Sequence, residues 1–150
     1  MPLTDEDEVI SAAFRKAGMK ATRQRLEIYR ELTGTDAHPD AETVFKRVRR
    51  KIPTISFDTV YRTLHTLEQA GLVVRIGPAL DRARFDACLD PHHHFVCEQC
   101  GSIIDFQDDK LNGLPQFGTV SRIGSVHSIS YVLRGVCLRC KKGQGEKPDR

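Results

Sequence analysis

Ser56-Phe57-Asp58-Thr59-Val60-Tyr61-Arg62-Thr63-Leu64-His65-Thr66-Leu67, with the later segments Leu72-Val73-Val74-Arg75-Ile76 and Ala83-Arg84-Phe85-Asp86, decides the fold of the first half of the chain. Ser56 is placed to cap a helix with Phe57, Val60, Leu64 and Leu67 on one stripe and Gly71 as its stop. At about 100° per residue, Asp58, Thr59, Arg62, His65, Thr66 and Gln69 fall on the other side, with Tyr61 at the border. The two later segments are apolar and separated by the turn-rich Gly77-Pro78-Ala79-Leu80-Asp81, which reads as a hairpin. Upstream, Thr22 can cap a helix carrying Leu26, Tyr29 and Leu32 inward, with Gly34 just past its end. Asp40 can cap a second helix with Val44, Phe45, Val48 and Ile52 inward, ended by Pro53. Three short helices and a hairpin form the winged helix-turn-helix pattern, whose third helix enters the major groove N-terminus first. Ser56, Thr59, Tyr61 and Arg62 are then the side chains able to reach DNA. The competing reading is a helical bundle with an ordinary solvated face on that helix.

Charge favours the first reading. Residues 1–14 carry four acids and no base, whereas residues 15–84 carry 15 Lys/Arg against 8 Asp/Glu, a local +7 within a chain of net charge +3. A basic front half suits a polyanionic partner. No apolar run approaches the roughly 18 residues needed to span a bilayer, so no membrane partner is expected. The first residues, Met-Pro-Leu-Thr-Asp-Glu-Asp-Glu, are acidic where a secretory signal is basic and then apolar, so the expected location is the cytoplasm.

The second half changes character. His94-Phe95-Val96-Cys97 and Ser102-Ile103-Ile104-Asp105-Phe106 read as strands on either side of a CxxC turn. Ile129, Tyr131 and Leu133 alternate with Ser128, Ser130 and Val132 as a third strand running into a second CxxC. Residues 107–118, with Gly113 and Pro115, leave room for a short helix, and the polar end of the chain reads as disordered. Cys97, Cys100, Cys137 and Cys140 form two knuckles that supply four thiolates in the tetrahedral arrangement zinc prefers, with no open position for chemistry. An iron–sulfur cluster or a redox dithiol competes, since spacing alone does not fix the metal. Disulfides are disfavoured in a reducing cytoplasm and would leave one of the five cysteines over. Cys88 is that fifth cysteine and is expected to be a small, semi-buried residue.

His92-His93-His94 is the second cluster, with Asp86 and Asp105 around it and His38 in the front half. In an extended segment His92 and His94 share a face and His93 points away. Asp105 comes close to His94 if their strands pair. Imidazole and carboxylate together suit divalent iron, manganese or zinc. A surface histidine run with solvated carboxylates is the alternative.

Ala21-Thr22-Arg23-Gln24-Arg25, His38-Pro39, Thr59-Val60-Tyr61-Arg62-Thr63-Leu64, Gly71-Leu72-Val73 and Arg84-Phe85-Asp86 match a known pattern, continued by the run from His92 to Gly101 and by Ile104-Asp105-Phe106. In these motifs and their order the chain resembles the ferric uptake regulator (Fur) family of bacterial metal-dependent repressors over about residues 12–142. The resemblance implies an α+β fold: a winged helix-turn-helix DNA-binding domain over 1–86 and an α/β dimerisation domain with a four-cysteine zinc site over 87–142. The polar tail over 143–150 lies beyond it and is expected to be disordered from its composition. It implies a homodimer on double-stranded operator DNA and a regulatory Fe2+ or Mn2+ held by His38, Asp86, His92, His94 and Asp105. Asp at position 105 is similar to the peroxide-responsive branch, where ferrous iron leads to oxidation of a ligand histidine; His38 and His92 are the counterparts here. An iron- or zinc-responsive uptake repressor is the alternative within the family. Pro91 stands where iron-responsive relatives often have another histidine, which leaves His127 without a clear metal site. A zinc-ribbon interaction module or small metalloenzyme is the alternative of another class. Catalysis is not expected, because no general base is paired with a nucleophile.

Overall fold

The computed structural model describes residues 5–77, 82–112, 118–126 and 129–143. The expectations for the hairpin turn at 78–81, for Gly113, Pro115, His127 and Ser128, and for the tail beyond Gly143 lie outside the described residues. The chain divides into two compact units, Met1–Leu89 and Asp90–Arg150.

The first unit contains α1 (Asp5–Lys16), α2 (Arg23–Thr33), α3 (Ala41–Lys51), α4 (Phe57–Gln69) and the antiparallel pair β1 (Val74–Ile76) and β2 (Arg84–Asp86). Three of the helices begin where a side-chain oxygen takes up an orphan N–H. Thr22 accepts from Arg25, Asp40 from Thr43 and Ser56 from Thr59. At the end of α4, Gly71 adopts φ +73°, with the Leu72 N–H on the Leu67 carbonyl and its own N–H on that of Glu68. That is a Schellman ending, which a residue with a Cβ would strain. Ile28 and Leu32 of α2, Val44 and Val48 of α3, and Val60, Leu64 and Leu67 of α4 meet in one core, closed by Leu72, Val73 and Phe85 of the hairpin region.

Two findings differ from the expectations for this unit. A fourth helix, α1, precedes the expected three. Its first turn holds Asp5, Glu6, Asp7 and Glu8, which favour a helix N-terminus, and it buries Ile10 and Phe14. Phe57, expected inward, is 45% exposed. It is the first residue of α4, beyond the edge of the core, and rests edge-on against Phe45.

The second unit holds β3 (His93–Cys97), β4 (Ile103–Phe106), α5 (Asp109–Asn112), a 3-10 turn at Val120–Arg122, β5 (Val132–Gly135) and α6 (Leu138–Lys141). Its sheet runs β4-β3-β5, with β4 antiparallel and β5 parallel to β3. The third strand starts at Val132 and not at Ile129; just before it the Tyr131 carbonyl accepts the His94 N–H. Alternation alone overestimated its length. Helices in the first unit and a mixed sheet in the second make the chain α+β. Among the described residues, no helix is long and apolar enough to cross a membrane.

Candidate metal centres

Cys97 ends β3 and Cys100 closes the knuckle, whose tight return is made by Gly101 at φ +72°. The parallel register sets Cys97 opposite Gly135, and the Glu98 N–H binds the Gly135 carbonyl at 2.8 Å, which brings the second knuckle alongside. A Cβ at Gly135 would meet the Phe95 ring at 3.3 Å, a tight contact that the ring would have to relieve by shifting a few tenths of an ångström. The four sulfurs lie within 4.8 Å of one another, with Cys97–Cys140 and Cys100–Cys137 both 3.9 Å apart. A tetrahedron of zinc–sulfur bonds has edges of about 3.8 Å, whereas a disulfide needs about 2.05 Å. The cluster therefore fits a zinc ion and not two disulfides.

Its electrostatics agree. The Cys97 sulfur accepts N–H groups of Cys137 and Cys100, which lower its pKa. Cys100 is lowered to about 6, first by the Ser102 hydroxyl 3.0 Å away. Burial pushes Cys140 the other way, up to about 12. Four sulfurs this close share fewer than four negative charges until a cation balances them. Arg139 adds a donor to Cys100 from the solvent side, a contact that spacing did not reveal. Cys88 stands apart from the quartet and is exposed, contrary to the semi-buried position expected; it directly follows Ala87, the last core residue of the first unit.

On the opposite-facing residues of β3 a second donor set forms. His94 pairs with Asp105 across the β3–β4 ladder, and His92 lies over the same face. The His92 and His94 Nε2 atoms are 3.0 Å apart, and Asp105 Oδ1 is 3.8 and 3.5 Å from them. Metal–nitrogen bonds of about 2.1 Å place neighbouring ligands about 3.0–3.4 Å apart. The two imidazoles meet that spacing, and the Asp105 oxygen stands a few tenths of an ångström outside it, within reach of a small side-chain shift onto the same ion. The Asp90 carbonyl lies 2.7 Å from His92 Nδ1. A carbonyl only accepts, so that nitrogen carries the proton and Nε2 keeps its lone pair for a ligand. His93 points to the other face, where its ring packs on Phe106 and Tyr131 and Nδ1 accepts the Tyr131 N–H at 3.2 Å. Its role is to hold the sheet.

The first unit contributes a separate pair. His38 and Asp86 are both buried, with Nε2 and Oδ2 3.6 Å apart. The Cys88 N–H fixes the other oxygen of Asp86 at 2.8 Å. This pair, too, fits part of a divalent-metal shell.

On α4, Ser56 and Thr59 are tied to each other by the cap, with their hydroxyls 2.8 Å apart. Tyr61 is half exposed and stacks on Phe57, and Arg62 lies in solvent 3.0 Å from Asp58. Thr59, Arg62 and Thr66 line a cleft shared with Lys20, Gln24 and Arg25 at the start of α2. Lys20 and Arg25 add positive charge that the reading of α4 alone missed.

Residues 16–122 match the profile of the ferric uptake regulator family. The chain belongs to that family. The peroxide-responsive repressor PerR of Staphylococcus epidermidis is 33% identical to it over 131 residues, covering 87% of each chain. The Helicobacter pylori ferric uptake regulator, whose structure is described as having three functional metal-binding sites, superposes with a TM-score of 0.72 at 25% identity over 94% of this chain and 95% of its own. The Campylobacter jejuni peroxide stress regulator superposes with a TM-score of 0.67 at 28% identity over 89% and 97%. The Fur-family chain is thus a metal-responsive transcriptional regulator and not an enzyme.

Proposed function

We propose that this chain is a cytoplasmic, homodimeric repressor of operator DNA that senses peroxide through a regulatory ion held by His38, Asp86, His92, His94 and Asp105. The observation that carries the reading is the convergence of His92, His94 and Asp105, whose donor atoms lie 3.0 to 3.8 Å apart beside a sulfur cluster that has no open position. Two imidazoles and a carboxylate suit Fe2+ or Mn2+, while the four thiolates suit structural Zn2+. His38 and Asp86 supply a partial shell from the DNA-binding unit, so one ion drawing on both sets would tie ligation to the arrangement of the winged helix.

Residues 1–86 take the DNA-binding role, with Ser56, Thr59, Tyr61 and Arg62 of the α4 region facing the groove and Lys20 and Arg25 beside them. Residues 87–142 take the dimerisation role. Support comes from Ile104, Val132 and Leu133, which leave apolar surface exposed on the sheet of the second unit. A two-fold dimer would suit a palindromic operator.

The peroxide branch is supported by Asp at position 105 and by the likeness to proteins named as peroxide-responsive. Bound ferrous iron would promote cleavage of the peroxide O–O bond. One oxygen would enter a ligand imidazole at a ring C–H, the ring giving up the two electrons that the peroxide gains, and the other oxygen would leave as water. His38 and His92 are the imidazoles we assign to that fate; an oxidised ligand no longer holds the ion, and DNA is released. An iron- or zinc-responsive uptake repressor is the second reading, favoured by the likeness to the H. pylori regulator. Intact-mass and peptide analysis after peroxide treatment separates the two. Added oxygen on the His38 or His92 peptide with iron, and none with manganese, is expected. An iron-loaded protein that gains no oxygen while still binding DNA metal-dependently supports the uptake reading instead.

A further inference from the structure

Among the described residues, His38 is the one non-glycine residue with a positive φ, +47°. That left-handed backbone is unfavourable for a residue with a Cβ, and the following Pro39 restricts it further. Such a conformation persists only where its surroundings impose it. The geometry points to Arg84 as the positioning residue for His38. The Arg84 Nε donates to the His38 carbonyl, and Nη2 donates to the Ala37 carbonyl at 2.7 Å. One planar fork thus grips two consecutive peptide oxygens. The next residues are pinned to the same strand, the Phe85 N–H on the Pro39 carbonyl at 3.1 Å and Asp40 in a bridge with Arg84.

Arg84 and Asp86 lie two apart on β2 and so share a side of the strand. Arg84 therefore fixes the loop on the side where Asp86 offers Oδ2 to His38 Nε2 at 3.6 Å. The strand works as a ruler: one residue sets the backbone of the histidine, and the residue two further on is its partner. A lysine cannot reproduce this, because an ammonium on a flexible stem does not hold two carbonyls in one plane. The inference rests on the proposed ligand roles of His38 and Asp86.

The test is Mn2+ binding, followed by electron paramagnetic resonance, in the full zinc-loaded chain. It compares wild type, Arg84→Lys, Arg84→Ala, His38→Ala and the double variant Arg84→Lys/His38→Ala. Positioning predicts that Arg84→Lys weakens Mn2+ binding roughly ten- to a hundredfold, the range expected when support of a ligand is lost. It also predicts that the double variant binds no more weakly than His38→Ala, because the residues act through one another. Losses that multiply, or an Arg84→Lys protein that binds like wild type while His38→Ala is weakened, would overturn the positioning role. If His38→Ala itself binds like wild type, the ligand assignment fails first and the inference with it. Zinc content and helical circular dichroism check folding, and should Arg84→Ala not fold, the charge-preserving Arg84→Lys decides.

Discussion

Asp40 accepts the Thr43 N–H at 2.8 Å and so caps α3, and the charged side chains of Arg82 and Arg84 are near it. Partial burial works to raise its pKa, but the hydrogen bonds from Thr43 and the two guanidiniums outweigh it and leave the carboxyl below its ordinary value. A carboxylate whose pKa is depressed on folding stabilises the native state at pH above its unfolded value, and that stability is lost as pH falls through the folded one. Asp40→Ala is accordingly expected to cost about 1 kcal/mol in urea unfolding at neutral pH, the ordinary worth of a cap. The difference from wild type should shrink as the pH is taken below the folded pKa. Asp40→Asn keeps an oxygen for the cap without the charge, so it should retain most of the neutral-pH stability and lose the part of the acid dependence that Asp40 contributes. Equal pH profiles for wild type and Asp40→Asn would show that the charge at this cap does not matter.

At the level of elements, α4 joins core to function, with Val60, Leu64 and Leu67 inward and Arg62 outward beside the cleft with Lys20 and Arg25. Arg62→Ala is expected to weaken operator binding without unfolding the chain, since the side chain is exposed and its pair with Asp58 lies on the surface. If Arg62 meets a phosphate, the slope of log affinity against log salt falls by about 1; if it reads a base, discrimination at one operator position relaxes by about 1–3 kcal/mol. Salt titration on operator and mutated operator distinguishes these, and unchanged affinity on both would remove α4 as the reader. The helices α2, α3 and α4 were legible because Thr22, Asp40 and Ser56 announce them locally. The facing of His92 and His94 was legible because a strand alternates. Helix α1 was not, since its inward residues, Ile10 and Phe14, gain meaning only from distant partners such as Tyr29, 5.4 Å from the Phe14 ring. The grip of Arg84 on the His38 loop spans 46 positions, and no local pattern announces it.

For the molecule as a whole, the two units are stabilised in different ways. The first has a large apolar core drawn from α1 to β2. In the second, the buried cluster among the described residues is Cys97, Cys100, Cys137 and Cys140 with Phe95 packed on it. A segment this short buries too little apolar surface to hold itself together, and a structural metal commonly makes up the deficit. Zinc would tie α6, near the end of the chain, to the tip of β3, and would supply the positive charge that lets Cys140, which burial pushes up to about 12, ionise beside Cys100, which the Ser102 hydroxyl lowers to about 6. Removing zinc by chelation under reducing conditions is therefore expected to melt the second unit while the helices of the first survive. Hydrogen exchange would read this as lost protection at Val96 and Leu133, with protection kept at Val48 and Leu64 in the first core. Size-exclusion chromatography should show the proposed dimer falling apart in step, because the exposed Ile104 and Leu133 would no longer be presented on an ordered sheet. Cys140→Ser should mimic chelation, as a hydroxyl is a poor substitute for the fourth thiolate. Protection at Val96 and Leu133 that survives zinc loss would mean that the sheet stands on its own packing and that the four cysteines do not hold the unit together.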